Sequence, residues 1–197
     1  FMFIFDSLCF RYRENLFEGY SDSIAERKIG IVGINGSGKT TLLRLIDQQL
    51  SPQSGSVTSS GSTYLVDFNL TRYRSFTTED LLALCGRLRS FDVTQADSLM
   101  EKLRLADYRS IPIGELSKGV TKKVSLLLGL LSRADILLID EPLESIDAES
   151  NANLLQIFQQ QRRGLVIVSH DHALLNRAVH AVYQVANRRL ERLCLAS

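Results

Sequence analysis

Gly33-Ile34-Asn35-Gly36-Ser37-Gly38-Lys39-Thr40 stands between the apolar run Lys28 to Val32 and a stretch in which Leu42, Leu43, Leu45, Ile46 and Leu50 recur at helical spacing. It fits GxxxxGK[ST] in the strand–loop–helix context that this pattern requires. Glycines let the backbone curl until successive N–H groups face a phosphate, and the helix that follows adds its positive N-terminal end. Gly33, Asn35, Gly36, Ser37, Gly38, Lys39, Thr40 and Thr41 are therefore the candidate nucleotide-binding residues. Lys39 has the length to reach β- and γ-phosphates, and the Thr40 hydroxyl is a candidate Mg²⁺ ligand. Pro52 and Gly55 are expected to close the helix.

Two further apolar runs carry chemistry at their ends. Ile136 to Asp140 continues into Glu141-Pro142, and Gly164 to Ser169 continues into His170-Asp171. An aspartate ending a buried strand beside a phosphate loop can hold Mg²⁺ through water, so Asp140 is a metal candidate, and Glu141 can then orient or deprotonate a water. Taken singly, Asp-Glu-Pro is equally a strand-to-turn boundary, and a lone histidine at a strand end is more often structural. Continuous apolar strands separated by helices imply a parallel sheet covered on both faces.

Outward from these, the chain reads as one α/β domain spanning residues 1–197. With 197 residues, 45% hydrophobic and 23% charged, it is long enough to bury about 70% of its unfolded surface. Phe1, Phe3 and Phe5 alternate, then Leu8, Phe10 and Tyr12 alternate in the opposite phase, as in a half-buried antiparallel ribbon. Val57 to Val66 returns to strand character with a turn at Gly61. Thr77 and Thr94 each precede an aspartate by three positions (Asp80, Asp97), the pattern of a helix N-cap. A long amphipathic stretch runs from Ser117 to Ser132, and another helix is expected around Leu154 to Phe158. The helical lobe is expected over approximately 77–131.

Net charge +1 gives no global pull towards nucleic acid, and no sequence-specific nucleic-acid binding is expected. The pairs Lys122–Lys123, Arg162–Arg163 and Arg188–Arg189 read as solvated faces. Cys9, Cys85 and Cys194 are odd in number, widely spaced and without a CxxC, which favours free thiols in a reducing compartment. Val124 to Leu131, the longest apolar run, falls far short of the ~18 residues of a membrane span. The opening phenylalanines run into Asp6 without a basic lead-in and read as a strand rather than a signal peptide. A cytoplasmic location is the expectation.

The order GINGSGKT, LSKGV, ILLIDEP, SID, VSHD resembles the ATP-binding-cassette (ABC) superfamily over nearly the whole chain. The resemblance implies a P-loop NTPase core of ABC type with an N-terminal antiparallel β region and a small helical subdomain. It implies an ATPase that turns ATP and water into ADP and phosphate with Mg²⁺. Two cassettes, as a homodimer or with a related ABC domain, would sandwich two nucleotides and act as a mechanical switch. Tyr12 resembles the aromatic that stacks on adenine, with Phe10 as the competitor. Leu116 to Val120 is similar to the LSGGQ signature, so Ser117 and Gly119 would grip the γ-phosphate bound to the opposite subunit, while Lys118 and Val120 depart from that pattern. Asp147 resembles the D-loop aspartate and His170 the switch histidine; Lys39, Glu141 and His170 are the implied catalytic group.

Where the family has a glutamine, this chain has Asp67. Asp67 can ligand Mg²⁺ but cannot donate to a water; either hydrolysis is slowed, leaving an ATP-dependent clamp, or Asn69 substitutes. Lys39 and Asp67 are 28 residues apart and Asp140 and His170 are 30 apart. The first interval lacks room for the extra hairpin of transporter cassettes, and both intervals resemble the ABC-F branch, as does DAESNANLLQIFQQQRRGLVIVSHDHALLNRAV. The ribosome is the partner that branch implies. The alternative is the ATPase subunit of a small ABC transporter, docked on a membrane subunit near Phe68 to Phe76.

Overall fold

The computed structural model describes residues 3–193, so Phe1 and Cys194 lie outside the described residues. Strands β1 (Phe3–Arg11), β2 (Asn15–Ile24) and β3 (Lys28–Val32) lead into helix α1 (Lys39–Ile46). Strands β4 (Ser54–Ser59) and β5 (Thr63–Leu65) follow, then helices α2 (Thr78–Gly86), α3 (Ala96–Lys102) and α4 (Lys118–Leu131). The chain continues through β6 (Ile136–Asp140), α5 (Ala148–Gln160), β7 (Gly164–Val168), α6 (His172–Ala178), β8 (Ala181–Ala186) and β9 (Arg189–Leu193). These elements form two compact units. One comprises the chain up to Leu65, Asp135–Glu141 and the chain from Gln161 onward; the other comprises Val66–Ala134 and Pro142–Gln160.

The first unit holds both sheets. One has the order β2-β1-β4 and is antiparallel; the other has the order β5-β6-β7-β3-β8-β9, parallel except for the β8–β9 hairpin. The change of phase in the opening sequence is a β-bulge. Phe3 and Phe5 are buried, Ser7 adopts φ +48° where the register shifts, and Leu8 and Phe10 are buried after it. One extra residue thus keeps four large side chains on one face. Their cluster is continuous with Leu42, Leu43, Leu45 and Ile46 of α1 and with Ile29, Ile31, Val166 and Val168 of the parallel sheet. β3 and β7 are buried at every position, as the unbroken apolar runs require.

Two local expectations change here. α1 ends at Ile46, not at Pro52: Gln48 takes φ +58°, and the N–H groups of Gln49 and Leu50 both donate to the Arg44 carbonyl. Asp47 anchors that ending by accepting from the Thr63 hydroxyl (2.7 Å) and the Gln49 amide (2.9 Å). The strand-like stretch after it is two strands in two different sheets, β4 against β1 and β5 against β6.

The second unit is helical. α4 buries nine of its fourteen residues and is capped by Ser117, whose hydroxyl accepts from the Val120 N–H (3.3 Å). Thr77 and Asp80 form a reciprocal capping box on α2. Thr94 does not cap α3. Its N–H and hydroxyl both donate to Asp92, which starts a short 3₁₀ turn over Val93–Gln95, and Asp97 pairs instead with Arg109. Asp92 competes for the local donors from two residues upstream, and the Thr94–Asp97 pattern loses. No helix among the described residues is long and apolar enough to cross a membrane.

Candidate active site

In the first unit the candidate residues gather at the carboxyl ends of the parallel strands, where open α/β sheets place their sites. β3 delivers the glycine loop. Gly33, Gly36 and Gly38 all have positive φ, and Gly38, at φ +103°, occupies the N-cap of α1 with no side chain capping it. That combination leaves the helix N-terminus open to an anion. Ser37 donates its N–H to the Ile34 carbonyl (3.2 Å) to close the turn, while its hydroxyl oxygen is buried without a hydrogen-bond partner. The Lys39 ammonium folds back over the loop onto the carbonyls of Gly33 (2.7 Å) and Ile34 (3.0 Å). Asn35 and Thr40 are exposed, and Thr41 is buried against the core side of α1.

The structure brings Thr40 and Asp140 together: the Thr40 hydroxyl donates to the Asp140 carboxylate. Two hard oxygens side by side, an orphaned buried hydroxyl and an uncapped helix N-terminus suit a phosphate with Mg²⁺, an ion that takes few protein ligands and completes its shell from phosphate and water. Among the described residues no cluster of three or more His, Cys, Asp or Glu forms an all-protein metal site.

Glu141 and His170 also meet. Glu141 adopts φ +50°, held there by its N–H donating to the Val168 carbonyl at 2.8 Å. A non-glycine residue in that region costs about 1–3 kcal/mol and persists only where neighbours fix it. The neighbour is the end of β7, two residues before His170. His170 Nε2 lies 3.4 Å from Glu141 Oε1, and the His170 N–H donates to Oε2 at 3.4 Å. Adjacent strands thus hold the carboxylate and the imidazole as a pair.

Between the two aromatics, burial decides. Phe10 is 5% exposed and belongs to the core, whereas Tyr12 is 60% exposed and meets Phe10 edge to face at 5.0 Å. Tyr12 is therefore the ring presented to solvent. Leu16 of β2, which sequence reasoning missed, lies about the site for Gly38: a β-carbon there would touch it at 3.5 Å. No local pattern marks that contact.

The second unit holds Ser117, Gly119, Asp67 and Asp147. Ser117 caps α4, and Gly119 packs so closely that a β-carbon would stand 2.4 Å from the Ser145 carbonyl oxygen. Asp67 Oδ1 accepts from the Asn69 N–H (2.8 Å), and Asn69 Oδ1 in turn accepts from the Thr71 N–H and hydroxyl, so both side chains shape their own turn. Asp147 accepts from the Ser150 N–H (2.9 Å) and from the Lys123 ammonium (3.1 Å). Burial works to raise the Asp147 carboxyl, but the bonds from Ser150 and Lys123 outweigh it and hold the group well below the usual carboxylate range.

Lys123 corrects the reading of Lys122–Lys123 as a solvated face, since it is 5% exposed. Its spacing of three from Val120 and four from Leu127, both buried, placed it on the apolar face of α4 and was the available signal. Arg188 and Arg189 do lie on the surface, paired with Glu18 and Glu191.

The "ABC transporter" family profile matches residues 24–144. The chain is 31% identical over 157 residues to "ABC transporter ATP-binding protein YtrB" of Bacillus subtilis (strain 168), covering 72% of this chain and 53% of that protein. It is 30% identical over 191 residues to "Probable metal transport system ATP-binding protein" of Thermotoga maritima, covering 86% and 80%. The chain thus spans about half the length of YtrB. A solved structure described as "Structure of ATP binding subunit of ABC transporter" superposes with TM-score 0.86 at 20% identity, over 99% of this chain and 90% of that one, a likeness of fold. The chain belongs to the ABC transporter family and carries its ATPase domain.

Proposed function

We propose that this chain is the ATP-hydrolysing cassette of a membrane transporter, working in the cytoplasm as a dimer with a second copy or a related cassette. The observation that carries the catalytic half is the paired strand end: Thr40 bonded to Asp140, and Glu141 bonded to His170. In this reading Lys39 and the N-terminus of α1 bind the phosphates, and Thr40 and Asp140 hold Mg²⁺, which neutralises phosphate charge when bound. Glu141 orients and deprotonates the attacking water, and His170, fixed by Glu141, stabilises charge on the phosphate. Tyr12 offers a stacking face that accepts any purine. Ser117, Gly119 and Asp147 serve the nucleotide on the opposite cassette. Asp67 is kept by its turn with Asn69 as a loop-forming residue, and its carboxylate has no proton to donate to a water.

The transporter half rests on the relatives, one named for a metal transport system. Nothing in their names points to the ABC-F branch that the internal spacings suggested, and they favour the alternative reading. Light scattering on Glu141→Gln with and without Mg²⁺–ATP tests the dimer: ATP-driven doubling of mass is expected, and a nucleotide-bound monomer contradicts a self-sufficient pair. Fractionation of cells tests the partner. Recovery with membranes is expected, and quantitative recovery with ribosomes would reverse the assignment.

A further inference from the structure

Lys122 touches two segments that are far apart in sequence. Its ammonium lies over the Phe68 ring, 4.9 Å from the centroid, and donates to the Glu144 carbonyl at 3.0 Å. A lysine can serve both at once, because three donors at the end of a four-carbon stem leave one face for the ring and one proton for the carbonyl. We propose that Lys122 is a positioning residue that fixes the Asp67–Phe68 turn and the Glu144–Asp147 loop to the same point on α4.

Both partners are stiff enough for the tie to matter. Phe68 sits inside the first of two successive side-chain-to-backbone turns, Asp67 with Asn69 and then Asn69 with Thr71. The Glu144–Asp147 loop is held at consecutive points along the first two turns of α4. Glu144 meets Lys122, Ser145 packs its carbonyl against Gly119, and Asp147 pairs with Lys123, whose ammonium also donates to the Ser150 hydroxyl at 3.3 Å. Ser145 at φ +65° is a strained conformation that persists because its surroundings over-determine it. Lys123 is the buried pin of that loop. Lys122, half-exposed one residue earlier, also reaches the Asp67–Phe68 turn. Glu144 is three residues after Glu141 in the chain, the residue that the proposed function assigns to the attacking water.

This inference rests on the ATPase reading above. Its test is a double-mutant cycle of Lys122→Met, which keeps the stem and removes the charge, with Phe68→Leu, which removes the ring. Lys122→Arg serves as the conservative variant. Lys122→Met is expected to lower kcat for phosphate release about fivefold, the scale of a positional coupling, with little change in KM or melting temperature. Phe68→Leu should lower kcat as well, and the double variant should cost no more than the larger single one. Lys122→Arg should stay within about twofold of the wild type. An unchanged kcat in Lys122→Met, additive effects, or a parallel fall in kcat, nucleotide affinity and melting temperature would each overturn the proposal. A wild type without phosphate release would instead sink the ATPase reading. The tie is then read by hydrogen exchange of the Glu144–Asp147 amides, expected to quicken in both single variants without further gain in the double; equal exchange overturns it.

Discussion

The two units place their candidate functional residues by different means. In the first, backbone does it: strand ends project Asp140, Glu141 and His170, and positive-φ glycines shape the loop before α1. In the second, side chains do it, with Lys122 and Lys123 fastening a loop to a helix and Asp67 and Asn69 bending their own turn. Backbone-built geometry survives loss of a functional side chain; side-chain-built geometry does not. Substitutions in the first unit should therefore strike chemistry and spare the fold, and those at the buried fastenings of the second, Gly119 and the Asp147–Lys123 pair, should strike both.

The sharpest break is Lys39→Ala, expected to lower the rate of ATP hydrolysis about a thousandfold, as loss of a positioned charge donor does. Its urea midpoint should stay near the wild-type value, because the two carbonyls it contacts are part of an open loop; a large fall in the midpoint would erase the contrast. Asp147→Ala is the counterpart. It leaves the Lys123 ammonium, with a side chain 7% exposed, without its carboxylate, and should cost about 2 kcal/mol in urea unfolding, because Ser150 still accepts from the ammonium.

Acid sharpens the same point. The Asp147 carboxyl is held below its ordinary value, so its contribution is complete above about pH 5 and is lost as pH falls below that, towards the folded-state value. Asp147 is 44% exposed on its side chain, so the effect is modest. The difference in stability between wild type and Asp147→Asn should shrink between about pH 5 and pH 2, and a constant difference would deny the carboxylate this role.

Much of the first unit was legible because its signals are periodic or fixed in spacing. Unbroken apolar runs gave β3, β6 and β7, and GxxxxGK[ST] gave the loop with its helix. What escaped was set by tertiary partners. α1 ends at Ile46 because Asp47 finds Thr63, sixteen residues on, and no local reading sees that bond. Thr94 carried the same signature as Thr77, yet Asp92 took its donors. Lys123 looked like one of a charged pair, and only its register on α4 marked it as buried. The internal spacings do not decide the branch for a related reason: loop length costs little free energy to change, so a missing hairpin is weak evidence of ancestry.

Gly119→Ala comes next in expected size. Its β-carbon would meet the Ser145 carbonyl oxygen at 2.4 Å, backbone that cannot swing aside, and about 2 kcal/mol of stability should be lost, together with slower turnover. A neutral Gly119→Ala would mean that the loop is not held as described. Smallest is the threonine pair. Thr77→Ala should cost about 1 kcal/mol through its capping box, and Thr94→Ala less than about 0.5 kcal/mol, since Asp92 starts the turn. Equal losses would restore Thr94 as a cap.

Strand-end geometry at Glu141 is what supports ATP hydrolysis in this reading. Phosphate release from saturating Mg²⁺–ATP, measured side by side for the wild type and Glu141→Gln, tests it most directly. Steady release by the wild type is expected, with a fall of about a hundredfold or more in the variant and nucleotide binding retained. Equal release by the two proteins would contradict it.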